Sequence, residues 1–333
     1  MRYQGLGKTG IQISSVGYGC MGLSHASGTP VEKQEAIRLI RRAYDLGYTF
    51  FDTAQCYNGV YPDGTLACNE MLVGEALHDI RDKIVIATKF GVQFTPDGLA
   101  TDSSPATIRE SVESSLRKLQ TDYIDLYYKH RVDKGTPIEE VADVMSDLIR
   151  EGKIRAWGIS MVDEETLRRA NEVCSVSAIQ NHYNMTSTGD EKLFPVLKEL
   201  GVTYVSCCPL SKGLLSGAYN AASTFEKEDF RSHMAQFTPE GYAKNQPLLD
   251  AIHALAEKKN ATNAQIALAY MMCKEVPIVP IPGSRKEERI RENAGAGDIT
   301  LTKEELARLD HVLEQMGMRR KVCMAPPSPA PHR

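Results

Sequence analysis

Eight short apolar runs, rich in β-branched and aromatic residues, punctuate the chain at residues 16–19, 49–52, 84–89, 124–128, 156–159, 178–180, 203–207 and 276–280. Their apolarity is mostly continuous rather than alternating, which predicts strands buried on both faces of a parallel sheet. Longer amphipathic segments lie between them, with helix start and stop signals. Ser104-Pro105 offers a capping residue followed by proline at the first helical position, and Thr136-Pro137-Ile138-Glu139 combines a capping box with the same proline placement. Thr302 with Glu305 offers a capping box. Gly47, Gly152 and Gly201 stand where helices must stop, each just before a predicted strand. Residues 43–51 (AYDLGYTFF) echo 197–205 (LKELGVTYV), as repeated βα units would.

Eight such units predict a single α/β domain, a closed (β/α)8 TIM barrel spanning residues 1–323. Residues 3–13, around Gly7-Lys-Thr-Gly10, predict an N-terminal β-hairpin that could plug one end. The main alternative is an open doubly wound sheet with a glycine-rich dinucleotide fingerprint after its first strand. Gly17-Tyr-Gly-Cys-Met-Gly22 has that spacing, but residues 24–30 read as loop where a helix should open. The barrel is therefore preferred. The stretch 213–247 shows no clear period and reads as a long functional loop. The Pro-rich tail, 324–333, reads as disordered.

Composition narrows the function classes. The chain has 333 residues, 42% of them hydrophobic and 25% charged, with a net charge of −4. That balance gives no case for nucleic acid. No apolar run reaches membrane-span length, and the first ten residues lack a signal-peptide core. The eight cysteines are scattered without a CxxC pair. They read as reduced thiols in a cytoplasmic protein with no metal site. Oligomeric state stays open.

In a barrel of this kind, the site lies at the C-terminal ends of the strands. The second run ends in Asp52, with Tyr57 in the following loop; the third ends in Lys89; His130 stands just beyond the fourth. Each alone has a plain structural explanation. Together they place a carboxylate, a phenol, an ammonium and an imidazole at one mouth. An ammonium beside a phenol would lower its pKa from about 10. Asp52 would pair with Lys89, and His130 would orient a substrate oxygen. Such a set can donate a proton to a developing alkoxide but cannot supply a hydride. A metal-assisted hydrolase using His130 and Asp52 is a rival, but Lys89 would oppose a cation there.

Here the sequence resembles the aldo-keto reductases, over nearly its whole length. The motifs are Gly17-Tyr-Gly-Cys-Met-Gly22, Phe51-Asp-Thr-Ala-Gln-Cys-Tyr57, Asn69-Glu-Met-Leu-Val-Gly-Glu-Ala-Leu77, Ala87-Thr-Lys-Phe90, Asp125-Leu-Tyr-Tyr-Lys-His130, residues 152–160 (GKIRAWGIS) and Ile281-Pro-Gly-Ser-Arg285. It looks most like the general reductases that also resemble potassium-channel β subunits. The resemblance implies a catalytic tetrad of Asp52, Tyr57, Lys89 and His130, an NADPH cofactor and a small carbonyl substrate. It implies that Ser160 and Gln180 hold the nicotinamide carboxamide and that Pro209, Leu210, Lys212 and Gly213 follow the pyrophosphate. Ser284, Arg285, Arg289, Glu292 and Asn293 match the adenosine end, and Gly19, Met21, Asp52 and Gly283 also match cofactor positions. A serine and an arginine before a helix suit a 2′-phosphate.

Three positions depart from the family pattern. Cys207 replaces the aromatic residue that stacks on the nicotinamide, for which Tyr204 or Tyr183 is a candidate substitute. Met161 stands where a polar residue is usual, and Gln55-Cys56 precede the tyrosine. Tyr61, Phe94, Tyr128, Phe225 and Phe237 are candidate pocket walls. The same resemblance admits a second role, a cofactor-sensing regulatory subunit of a membrane channel with little turnover.

Overall fold

The computed structural model describes residues 1–26, 28–95, 98–133, 135–225 and 229–318; the tail from residue 324 lies outside them. Eight parallel strands form the barrel: β1 Tyr18–Gly19, β2 Phe50–Asp52, β3 Val85–Phe90, β4 Ile124–Lys129, β5 Ile154–Ser160, β6 Ala178–His182, β7 Thr203–Cys207 and β8 Ile278–Pro280. Each overlaps one of the apolar runs, and each pairs with its successor in the chain. The ring closes between β1 and β8, where Gly17 N donates to Pro280 O at 2.9 Å and Gly19 N to Pro282 O at 3.5 Å.

That seam explains the glycine motif. A Cβ at Gly19 would lie 2.7 Å from Ile281 O, and one at Gly283 would lie 2.6 Å from Gly19 O. Only glycine lets the two backbones meet so closely. No helix opens at the motif; residues Met21–Leu23 make one 3-10 turn and the first helix begins at Lys33.

Ten helices are described: α1 Lys33–Asp45, α2 Asn69–Leu77, α3 Pro105–Leu119, α4 Ile138–Arg150, α5 Glu164–Val173, α6 Phe194–Leu200, α7 Pro239–Lys259, α8 Asn263–Met272, α9 Glu287–Gly295 and α10 Lys303–Gln315. Ser104 caps α3 with Pro105 in its first turn, and Thr302 with Glu305 forms the capping box of α10. Helix α4 differs from expectation. Its N-cap is Pro137, so the Thr136 box does not form; Asp133 Oδ1 instead accepts from Thr136 N at 3.0 Å.

The stretch 213–247 is also not all loop. It holds short 3-10 turns, and then α7 runs from Pro239 straight through Pro247. Thr238 caps α7, accepting from Gly241 N at 3.1 Å. The embedded glycine and proline hide the helical period, because both are poor helix formers.

Alternation along the strands divides the interior in two. One face packs outward on the helices and includes Phe51, Ile86, Tyr127, Trp157, Ile159, Ile179 and Tyr204. The other fills the lumen with Phe50, Val85, Ala87, Leu126, Tyr128, Ala156, Ala178, Val205 and Val279. The hairpin Tyr3–Gly5 and Gln12–Ser14 sends Leu6, Ile11 and Ile13 into that lumen cluster. One end of the barrel is thus sealed, and ligands must use the other.

Candidate active site

Side chains in a strand alternate faces, so a lumen residue recurs every second position. Following the lumen face upward, Phe50 leads to Asp52, Ala87 to Lys89, Tyr128 to His130, Ala178 to Gln180 and His182, and Val205 to Cys207. The parallel registers set Asp52 against Ala87 and Lys89 against Tyr128. The polar residues therefore crown a packed apolar plug.

Lys89 is fully buried and Asp52 nearly so. Nζ of Lys89 donates to Asp52 Oδ1 at 2.5 Å and to Thr53 O at 2.7 Å. Asp52 Oδ2 accepts from Gln180 Nε2 at 2.7 Å. A buried charge is tolerable only when it is paired and hydrogen-bonded, and this pair is both. Burial pushes the Asp52 carboxyl up, while the charge and hydrogen bond of Lys89 oppose it.

Tyr57 sits above the pair, with the Lys89 ammonium 4.9 Å from its ring centroid. The His130 ring meets it edge-on at 5.6 Å. Among the described residues, the Tyr57 hydroxyl has no hydrogen-bond partner. Three contacts hold the residue's backbone: Ser24 Oγ donates to Tyr57 O at 2.8 Å, Asn69 N donates to the same oxygen at 3.3 Å, and Tyr57 N donates to Ala54 O at 3.1 Å. Asn69 is buried, and its side chain donates to Cys20 O and Ser24 Oγ and accepts from Thr53 Oγ1 at 2.6 Å. It ties the loops after β1 and β2 together beneath the tyrosine.

The electrostatics correct one expectation. The Tyr57 pKa is raised on balance, not lowered. Burial pushes the phenol well above its ordinary value, with the Asp52 carboxylate adding to the rise. His130 goes the other way: burial, helped by the charges of Lys89 and Arg131, pushes it down to about 2. Its ring is neutral. Nδ1 contacts Cys56 Sγ at 3.5 Å, and Nε2 has no partner among the described residues.

The residues matched to a cofactor fall into two groups. Ser160 and Gln180 lie at the mouth, but Ser160 Oγ donates to Gln180 O at 2.9 Å and Gln180 to Asp52. Met21 packs with Ala54, Cys56, Tyr57 and Val92. Beyond β7, Pro209 and Leu210 lead into a run of left-handed residues, Ser211, Lys212 and Gly213. Two of their N–H groups are engaged within the turn, Ser211 N with Cys208 O at 3.0 Å and Gly213 N with Leu210 O at 2.9 Å. The second group surrounds the start of α9, whose N-cap, Lys286, makes no side-chain cap. Arg285 folds back on the loop after β1, with Nε 2.5 Å from Gly22 O and Nη1 2.8 Å from Thr29 O. Its Nη2 is buried without a partner. Tyr18 Oη donates to Ser284 O, Arg289 pairs with Glu292 at 2.7 Å, and Asn293 is buried in α9. An orphaned guanidinium nitrogen beside an uncapped helix start fits a phosphate.

Several wall candidates lie elsewhere. Tyr183 and Tyr204 are fully buried, their hydroxyls bonded to Glu191 and Asp190, so neither replaces the missing aromatic at Cys207. Tyr128 is sealed inside the lumen, and Phe225 and Phe237 pack with Tyr219 in the loop before α7. Tyr61 is half-buried, its hydroxyl without a partner. Phe94 is exposed and stacks on His25 at 4.9 Å, and His25 stacks on Tyr57 at 5.9 Å. Neither His25 nor the clamp at Asn69 follows from periodicity, because both are brought to the site by loops.

Comparison with known proteins gives a consistent answer. The sequence model of the Aldo/keto reductase family matches residues 15–314. A soybean (Glycine max) protein described as probable aldo-keto reductase 1 is 37% identical over 305 residues, covering 90% of this chain and 86% of that one. Among solved structures, a glycerol dehydrogenase from Gluconobacter oxydans superposes with a TM-score of 0.82 at 28% identity, covering 93% and 94% of the two chains. An aldo/keto reductase from Klebsiella pneumoniae, solved with NADP and acetate, superposes with a TM-score of 0.68 at 26% identity, covering 92% and 93%. No helix among the described residues is long and apolar enough to cross a membrane.

Proposed function

The chain belongs to the aldo/keto reductase family, and from that premise we propose that it is an NADPH-dependent reductase of aldehydes or ketones with Tyr57 as proton donor. The observation that carries this reading is the unpartnered Tyr57 hydroxyl, set beside a buried ammonium and a neutral imidazole at the open end of the barrel. A bound dihydronicotinamide would supply the hydride; the chain's own residues would manage the proton and the charge.

Burial keeps Tyr57 protonated at neutral pH, so the proton is present when a substrate oxygen gains charge. The positive charge of Lys89 stabilises the phenolate left behind, at a distance where cation and ring attract. Asp52 and Thr53 O fix Lys89 in place. The Cys56 thiol, pushed by burial to about 11, remains S–H and can donate weakly to His130 Nδ1. That contact would leave the imidazole proton on Nε2, which is free to donate to the substrate oxygen.

Gln180 and Ser160 would orient the carboxamide, Pro209 to Gly213 would follow the pyrophosphate, and Ser284, Arg285, Arg289, Glu292 and Asn293 would hold the adenosine end. The orphaned Nη2 of Arg285 supports NADPH over NADH. The stacked rings of His25 and Phe94 beside Tyr57 offer a flat wall that suits aromatic carbonyls. A screen of NADPH oxidation against aromatic, aliphatic and sugar-derived carbonyls tests the proposal. Turnover should appear with at least one class, and none across the whole screen would reject it.

A further inference from the structure

We propose that His182, Cys207 and Cys208 form a thiol-based binding site for a soft divalent cation such as Zn2+ at the mouth of the barrel. One ligand atom from each lies within 4.8 Å of the other two, and Cys208 Sγ is 4.0 Å from His182 Nε2. Among the described residues, this is the one group of three or more such side chains so arranged.

The fold brings the three together. His182 and Cys207 are register partners at the ends of β6 and β7, so they stand side by side on one face. Successive strand residues normally point to opposite faces. Cys208 escapes that rule because it adopts a left-handed backbone with φ +55. A non-glycine residue rarely holds this conformation unless its surroundings impose it. Here, Cys208 O accepts from Asn184 Nδ2 at 3.0 Å and from Ser211 N at 3.0 Å. The turn is thus fixed, and it keeps the second sulfur beside the first.

One imidazole nitrogen and two thiolates are a zinc-type donor set. Tetrahedral zinc would hold those atoms about 3.5–3.8 Å apart, so small side-chain rotations suffice. The two thiolates offset the charge of the ion, which matters because Lys212 lies near Cys208 and Lys89 near Cys207. His182 is exposed, so a fourth position faces solvent and can hold water. Sequence spacing hides the site. The cysteines are adjacent rather than two apart, and the histidine comes from the neighbouring strand, 26 residues earlier.

The functional consequence rests on the reading that places the nicotinamide against Cys207. If both hold, the metal and the cofactor exclude one another, and the ion is an inhibitor competitive with NADPH.

The test uses the full-length chain, kept reduced with a phosphine, and titrated with Co2+ and then Zn2+. One equivalent of Co2+ should produce thiolate-to-cobalt charge-transfer absorption, which Zn2+ should displace. Cys208→Ser and His182→Ala should each weaken Zn2+ binding roughly tenfold or more. Cys174→Ser, at the end of α5, should not. Circular dichroism checks that the variants fold. Absence of the charge-transfer band, or equal binding in wild type and Cys208→Ser, overturns the site. NADPH fluorescence titration with and without Zn2+ separates the two readings. Weaker NADPH binding in Zn2+ supports both, whereas Zn2+ binding that leaves NADPH affinity unchanged supports the metal site and removes the nicotinamide from Cys207.

Discussion

Lys89 Nζ donates to Asp52 Oδ1 at 2.5 Å, with both side chains shut away from water. Removing one partner leaves the other as an uncompensated buried charge. Lys89→Met should therefore lower stability by about 3–5 kcal/mol, measured as a shift in the urea midpoint. Replacing both, as Lys89→Met with Asp52→Leu, should recover most of that loss, because an apolar pair suits the lumen. Neither variant should reduce a carbonyl. Wild-type stability in the single variant would show that the pair is not buried as described.

Tyr57→Phe removes only the hydroxyl and keeps the ring packed with Ala54, Cys56 and Val92. Turnover should fall by about 10²–10⁴, the usual worth of a positioned general acid. NADPH affinity should stay within about a factor of two, because the hydroxyl has no protein partner to lose. Unchanged turnover would assign the proton to another group.

Much of this arrangement is legible in the sequence. The strands at 203–207 and 124–129 show as apolar runs because a parallel strand is buried on both faces. Asp52, Lys89 and Cys207 reach the same rim because strand alternation carries the lumen face to its top. Other features had no local signature. The glycines at 17 and 19 mimic a phosphate-binding fingerprint, and only the closing hydrogen bonds to Pro280 and Pro282 reveal a seam. Thr136 is a good capping residue, but Asp133 engages its N–H and the helix starts later. The neighbouring cation alone predicts a lowered Tyr57 pKa, whereas burial and the Asp52 charge raise it. Long-range terms of that kind leave no trace in spacing.

His130 yields a pH dependence with a definite sign. Its folded pKa, about 2, lies far below the value of about 6.5 expected in the unfolded chain. Between those values the unfolded state binds the proton and the folded state does not. Stability from this residue is thus fully present above pH 6.5 and declines as the pH falls below it. From pH 7 to pH 5 the loss should be about 2 kcal/mol, at about 1.4 kcal/mol per pH unit. The measurement is the urea midpoint at the two pH values in wild type and in His130→Asn, which should show a smaller decline. Parallel declines would mean that the imidazole protonates inside the folded site.

Arg285 joins a structural role to the proposed cofactor role, and the two can be separated. Its Nε and Nη1 tie the turn after β8 to Gly22 O and Thr29 O, while Nη2 has no partner. Losing the tie should loosen the loop and weaken NADPH and NADH alike. Losing a charge-assisted bond to a 2′-phosphate should weaken NADPH alone, by about tenfold to a hundredfold, given about 1.5–3 kcal/mol for a hydrogen bond to a charged group. The informative quantity is therefore the ratio of the two affinities in wild type and in Arg285→Ala. A ratio that collapses towards unity assigns Arg285 to the 2′-phosphate. A ratio that holds while both affinities fall confines the residue to bracing the loop, and selectivity for NADPH would then have to come from Arg289 or the start of α9.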